Sequence, residues 1–387
     1  MFSILIITSA LCIFLIFYAR LIIPLNAPRY INTTLIIIFL LLSFSPHIAM
    51  RLTRILGPDS EYALALHIAY YAMSYIILLV IAVIIRDIAA FIAKFITHLK
   101  TKPDQTPEQY KHNAERRRFL LNASSLALIP VAGVLTPVAA IAAKKRILKH
   151  FTLHYPNMPD NLKSLKIVHL SDIHLGNTFT KQDLQNVVEE TNALKPDIIA
   201  ITGDFVDGNF NALKSDAKPL EHLKPSIATC FCTGNHEYYS IADPWIEYLR
   251  SININVLNNE NITLKHNNTD FAVAGAIDWN GDRKNKIKSS PKKALQNIPD
   301  DHFKIMLVHQ PKSVDESIEN GADLVLAGHT HGGQFFPVSL LNERIHQYAR
   351  GLYAVGDVKV IISAGTGYWG PPNRIGVPPE IILITFK

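Results

Sequence analysis

The chain has 387 residues, 49% hydrophobic and 18% charged, with a mean hydropathy of +0.16. It is too apolar for an ordinary soluble protein and too rich in core-forming residues for a disordered one. Three cysteines exclude a disulfide scaffold, and the C-x-C spacing of Cys230 and Cys232 is not that of a zinc ribbon. The net charge of +6 would point to nucleic acid only if the excess lay on one folded face, and it mostly does not.

The first 145 or so residues carry nearly all the apolar excess. Met1 to Pro24 is an almost unbroken apolar run, and about 20 residues cross a bilayer core. A shorter run covers 35–50 and a third covers 62–85, continuing past Arg86 and Asp87 as an interfacial amphipathic stretch. A fourth, 119–143, is rich in Ala, Gly and Pro. The expected organisation is a membrane region at 1–118, a fourth apolar segment with linker at 119–146, and a folded domain at 147–387.

Lys and Arg flanking the runs number nine on one side, including Lys94, Lys102 and Arg116 to Arg118, against six on the other, including Arg54 and Lys144. That bias favours a multi-pass protein of a bacterial-type inner membrane with its folded domain outside the cytoplasm. Arg116-Arg117-Arg118 followed by a mild apolar stretch also looks like a twin-arginine export signal, with Ala140-Ile141-Ala142 as a small-residue cleavage site. An ordinary basic flank on a membrane helix is the competing reading.

From about Lys149 onward short β-rich runs alternate with helical stretches. Strands are predicted at 165–170, 198–201, 227–231, 271–274, 304–308, 323–327, 358–362 and 381–386, the last closing the sheet. Thr180 with Asp183 three residues on opens a helix to about Leu194, and further helices are expected at 211–223, 244–250 and 312–319. The alternation makes the domain α/β.

Polar clusters follow the C-terminal ends of these strands, where open α/β sheets place their ligands. They are Ser171-Asp172-Ile173-His174, Gly203-Asp204-Phe205-Val206-Asp207, Gly234-Asn235-His236-Glu237, Val308-His309 and Gly328-His329-Thr330-His331. A single such cluster is commonly a capped turn. Five in this order imply a shared partner, because each otherwise carries a desolvation penalty of a few kcal/mol. Asp, Asn and His without thiolate suit Mn, Fe, Co or Zn, and the donors are too many for one ion.

The order D-x-H, G-D-x-x-D, G-N-H-E, H, G-H-x-H resembles the calcineurin-like binuclear metallophosphoesterases over roughly residues 147–387. The tail Gly365 to Arg374, followed by Pro378-Pro379-Glu380-Ile381, is similar to their membrane-anchored YaeI-like and YkuE-like phosphodiesterase branch. The resemblance implies a four-layer α/β/β/α sandwich behind an all-α transmembrane region. It implies one metal on Asp172, His174 and His331, a second on Asn235, His309 and His329, and Asp204 bridging both. His236 then addresses the phosphate and leaving group, oriented by Asp207, with Glu237 in support behind the ligands. Two divalent cations, manganese ahead of Fe, Zn and Co, would present hydroxide for in-line attack on phosphorus.

Tyr368, Trp369 and Arg374 are expected to rim the site and bind substrate, with Arg374 clamping a second phosphate. His169, Cys230 and Cys232 read as core residues, and the lysines at 284, 286, 288, 292 and 293 as a solvated face with phospholipid headgroups as the alternative. The branch is associated with hydrolysis of UDP-2,3-diacylglucosamine in lipid A synthesis, so the expected partners are membrane lipids and a lipid-linked phosphoester, without nucleic acid. The alternatives are a nuclease or nucleotide phosphodiesterase, and a membrane sensor or transport module carrying a metal-binding appendage.

Overall fold

The computed structural model describes residues 2–25, 27–53, 62–100 and 106–387; Met1, Arg54 and Lys102, used above, lie outside them. The chain divides into two compact units, the first Met1–Arg51 with Ala65–Ala139, the second Leu52–Leu64 with Ala140–Lys387.

The first unit is helical: α1 (Phe2–Phe17, continuing to Leu25), α2 (Arg29–Thr53), α3 (Ala63–Lys100) and α4 (Pro107–Lys144). Among the described residues, three stretches are long and apolar enough to cross a membrane, Thr8–Leu25, Ala63–Thr97 and Lys111–Lys144, while Arg29–Ser45 is shorter. The predicted continuation after Ile85 runs on in the same helix, α3. Arg86 and Asp87 do not end it because both charges are partnered. Arg86 pairs with Asp87 at 2.8 Å, Arg20 pairs with Asp87 at 3.0 Å, and Arg86 donates to the Ser125 hydroxyl at 2.6 Å. The basic segment before the fourth run is also largely helical, with Arg116 to Arg118 inside α4, as are Pro130, Pro137 and Ala140 to Ala142.

The second unit holds two six-stranded sheets. The first has the order β1 (Ile147–Leu153), β12 (Glu380–Phe386), β2 (Ile167–Leu170), β3 (Ile198–Thr202), β4 (Ala228–Cys232), β5 (Ile254–Val256). The second has the order β10 (Gly351–Val355), β11 (Val358–Ile362), β9 (Leu324–Ala327), β8 (Phe303–Leu307), β7 (Thr269–Gly275), β6 (Glu260–His266). β2, β3 and β4 are mutually parallel, as are β7, β8 and β9. Their Ile, Val and Leu runs are buried on both faces, the pattern of a sheet covered on both sides.

Three apolar layers fill the sandwich. Ile167, Ile198, Cys230 and Cys232 of the first sheet meet Phe271, Ile305, Leu307 and Leu326 of the second. Val168, Leu170, Ile199 and Phe231 face outward onto α5 (Lys181–Ala193), α6 (Phe210–Ala217) and α8 (Ala242–Ser251). Ala272, Met306 and Val325 face α9 (Pro291–Leu295) and α10 (Val314–Glu319). The result is the expected four-layer α/β/β/α arrangement. Thr180 caps α5, its hydroxyl accepting from Asp183 N while the Asp183 carboxylate accepts from Thr180 N.

The terminal strand is not at an edge, as a closing strand would be. β12 lies between β1 and β2, parallel to the former and antiparallel to the latter. Strands β1, β5, β6 and β10 have no counterpart in the sequence reading; the exposed positions of β1, β6 and β10 and the three-residue length of β5 weaken the apolar signal. The helix predicted to reach Leu223 stops at Ala217, and Pro219 sits in a following 3-10 turn, Lys218–His222.

Candidate metal centre

Each predicted cluster leaves the end of a parallel strand. Asp172 follows β2, Asp204 follows β3 and Asn235 follows β4, where it opens the short helix α7 (Asn235–Tyr239); His309 follows β8 and His329 follows β9. The first three come from one sheet and the last two from the other, so the site sits where the two sheets' strand ends meet. To turn its side chains into that space, the backbone takes left-handed conformations at Asp172 (φ 54°), His174 (55°), Asp204 (53°), His329 (72°) and His331 (50°). Such positions cost about 1–3 kcal/mol each at non-glycine residues and persist where surrounding structure enforces them.

Glycine is required where the clusters touch. A Cβ on Gly328 would stand 1.9 Å from Ser171 Oγ and 2.2 Å from an Asp172 carboxylate oxygen. One on Gly234 would stand 2.2 Å from Asp204 Oδ1.

Two donor sets result. In one, Asp204 Oδ2 and Asn235 Oδ1 lie 3.1 and 3.2 Å from His309 Nε2, and His329 Nδ1 lies 3.1 Å from the same atom. His309 Nδ1 donates to the Thr202 carbonyl at 2.7 Å, which turns Nε2 towards this set. Carboxylate, amide and imidazole donors converging this way fit a cation. In the other, His174 Nε2 lies 2.9 Å from His331 Nε2, and Asp172 Oδ1 lies 3.4 Å from His331 Nε2. Here His174 Nδ1 bonds Asp207 at 2.9 Å, which turns its Nε2 inward. Asp204 Oδ2 is 3.9 Å from His174 Nε2 and therefore stands between the two sets.

The groups predicted to act beside the ligands are in place around them. His236 Nδ1 hydrogen-bonds Asp207, which thus accepts from two imidazoles, while His236 Nε2 faces Asp204 Oδ2 at 3.8 Å. Burial works against a charged His236, but Asp204 and Asp207 outweigh it and raise its pKa to about 9. Asp207 opposes its own burial through His174 and His236, which hold its pKa well down. Glu237 is fully buried and accepts from the backbone N–H of Gly234 (2.7 Å), Asp204 (3.1 Å) and Phe205 (2.7 Å). It thereby ties the β3 and β4 turns together.

The predicted substrate rim needs correction. Only Trp369 is exposed, its ring 6.0 Å from that of His236. Tyr368 is buried against Phe179, and its hydroxyl donates to the Thr178 carbonyl at 2.6 Å. Arg374 is also buried; its guanidinium donates to the carbonyls of Gly367 (3.1 Å) and His331 (3.0 Å) and lies 2.9 Å from His331 Nδ1. It is a brace for His331 rather than a phosphate clamp. The cause is the backbone: Thr366 N and Gly367 N bond to the carbonyls of Ser171 and Asp172, folding the loop inward over the first cluster.

Some supporting residues were not foreseen. His169 is buried, as expected of a core residue, but it also starts a chain of donations: its Nε2 lies 2.8 Å from Thr202 Oγ1, Thr202 donates to Ser171 (2.8 Å), and Ser171 to Asp172 (2.5 Å). Burial pushes its pKa down to about 3, so it acts as a neutral donor. Asp278 is fully buried and accepts from Gln310, the neighbour of His309, at 2.7 Å. It lies just past β7, so the strand-end signal applied to it too, but no histidine accompanies it.

The sequence profile of calcineurin-like phosphoesterases matches residues 165–333. A Caenorhabditis elegans protein named as a metallophosphoesterase is 34% identical over 367 residues, covering 92% of this chain and 73% of that protein. A transmembrane protein with a metallophosphoesterase domain from Danio rerio is 36% identical over 242 residues (59% of this chain, 55% of that one). A metallophosphoesterase from Helicobacter pylori is 38% identical over 224 residues (57% and 60%). The chain thus spans little more than half the length of the last two.

Proposed function

The chain belongs to the calcineurin-like metallophosphoesterase family, and from that premise we propose that it hydrolyses a phosphodiester or pyrophosphate bond at a membrane. The observation that carries the reading is the pair of donor sets meeting at Asp204, with the His236–Asp207 pair beside them. Two divalent cations held there, manganese first, would supply an activated water and offset charge on the phosphoryl oxygens. Asp172, His174 and His331 would hold one, and Asn235, His309 and His329 the other, with Asp204 shared.

The protein's own groups do the rest. Asp207 accepts from His236 Nδ1 and so presents Nε2 towards Asp204. A protonated Nε2 there can donate to a phosphoryl oxygen and then to the departing oxygen, an effect worth about 10²–10⁴-fold in rate. Asp207 also fixes the His174 ring, and the Thr202 carbonyl fixes His309.

The apolar helices support a lipid-linked substrate, either UDP-2,3-diacylglucosamine or another envelope lipid phosphate. The basic flanks favour a multi-pass inner-membrane protein with its catalytic unit outside the cytoplasm, which agrees better with an envelope phosphodiester than with a nucleotide lipid made on the inner side. The test uses full-length protein in detergent with Mn2+, UDP-2,3-diacylglucosamine, and mass-spectrometric detection of UMP, with His236→Ala as blank. Release lost in the variant identifies that substrate and puts the site on the cytoplasmic side. Cleavage of bis-p-nitrophenyl phosphate alone keeps the chemistry and moves the substrate to the envelope. Cleavage of neither overturns the hydrolase reading.

A further inference from the structure

The chain contains three tryptophans, Trp245, Trp279 and Trp369, and none lies in the apolar helices. Trp245 is buried, whereas Trp279 and Trp369 are 45% and 46% exposed. Exposed indoles are informative when they share a surface with other apolar groups. Trp369 and the exposed Tyr239 flank His236, with ring centroids 6.0 and 4.8 Å away. Ile241, also exposed, follows Tyr239 by two residues, and Asp243 two further on pairs with Lys284 at 3.2 Å. That ion pair ties the loop carrying Trp279 and the exposed Ile287 to the start of α8, directly after α7 with its His236.

Apart from Asp243 and the buried Asp282, the loop at this edge is strongly basic. Six of the eleven residues from Arg283 to Lys293 are basic and none is acidic, and Arg283, Lys286 and Lys288 are exposed. Indole and aliphatic side chains interleaved with lysine and arginine match the boundary of an anionic bilayer, where rings sit at headgroup depth and cations meet lipid phosphates. The same chain carries helices long and apolar enough to cross a membrane, so a bilayer is close at hand.

We infer that the rim of the metal centre docks on an anionic lipid surface, with Trp279 and Ile287 entering the headgroup region and Arg283, Lys286 and Lys288 contacting lipid phosphates. The inference rests on the proposed function only in taking His236 to mark the mouth of a reacting site.

The test uses full-length protein carrying Trp369→Phe, so that emission comes from buried Trp245 and from Trp279. It is placed in nanodiscs of phosphatidylcholine, or phosphatidylcholine with phosphatidylglycerol, with plain or brominated acyl chains. Docking predicts bromine quenching of Trp279 that appears with phosphatidylglycerol. The triple variant R283Q/K286Q/K288Q should weaken docking on the order of a hundredfold and abolish the quenching. Unchanged Trp245 emission reports that the variant is folded. Emission insensitive to brominated lipid, or quenching that survives the triple substitution, overturns the proposal. Retention of a single-stranded oligonucleotide that is lost in the triple variant, without lipid quenching, overturns it in favour of a nucleic-acid surface. Cleavage of bis-p-nitrophenyl phosphate by the unaltered protein is scored separately: docking without cleavage sinks only the hydrolase reading, and cleavage without docking sinks only this one.

Discussion

Asp204 and His236 differ in what their loss should do. Asp204 is the carboxylate within reach of both donor sets, so Asp204→Ala should abolish metal loading, while His236→Ala keeps both ions and slows turnover by about 10²–10⁴-fold. Metal analysis by mass spectrometry, run beside kinetics, checks both halves; two ions retained in Asp204→Ala would refute the first. Protonation gives a second handle in chelator-treated protein. His236 is raised from its ordinary 6.5 to about 9, so its contribution to stability is full below pH 6.5 and is lost as pH rises through about 9. The partner carboxylate Asp204 is depressed despite burial, chiefly by His309 and His236, so its contribution disappears only as the solution is acidified below its ordinary 3.8. The thermal midpoint of metal-free protein should therefore exceed that of His236→Gln near pH 6 and approach it above pH 9. A gap that widens with pH would contradict this assignment of the charges.

At the scale of elements, the turns after the strands carry the site, and they tolerate little. Gly328→Ala drives a methyl into Ser171 and Asp172, both buried at the end of β2, and should empty the first donor set. Ser171→Ala is gentler: it removes the last donor in the chain from His169 through Thr202 and leaves Asp172 with the His329 N–H at 3.0 and 3.1 Å. Loss of such an outer partner typically costs 10–100-fold in metal affinity, which a competition titration against a fluorescent chelator would read. Metal affinity equal to the unaltered protein would show that the relay is only packing. Which elements the sequence revealed follows from burial. Strands apolar on both faces, such as 198–202 and 324–327, stand out as continuous runs. The half-exposed β6 and β10 and the three-residue β5 do not.

The whole molecule joins a unit of apolar helices to a sandwich whose two sheets are bound together at the strand ends by the site itself. Cations that bind only the folded sandwich should stabilise it, by about 2.7 kcal/mol at a hundredfold excess over Kd. Chelation should accordingly lower the thermal midpoint followed by near-ultraviolet signal of the three tryptophans, all of which lie in this unit. An unchanged midpoint would mean that the sheets hold the donor sets without help.

The sequence alone made the family and the long apolar helices legible, because donor identity, glycine turns and apolar run length are local properties. Asp172, Asp204, Asn235, His309 and His329 each announce themselves directly after a strand. Tertiary structure decided which groups meet. The insertion of β12 between β1 and β2, the inward fold of the 365–374 loop that turns Arg374 onto His331, and the sharing of Asp207 by two histidines all depend on segments far apart in the chain. So does the apolar and basic rim around Trp279, since exposure depends on what does not pack against a side chain. No local pattern records that.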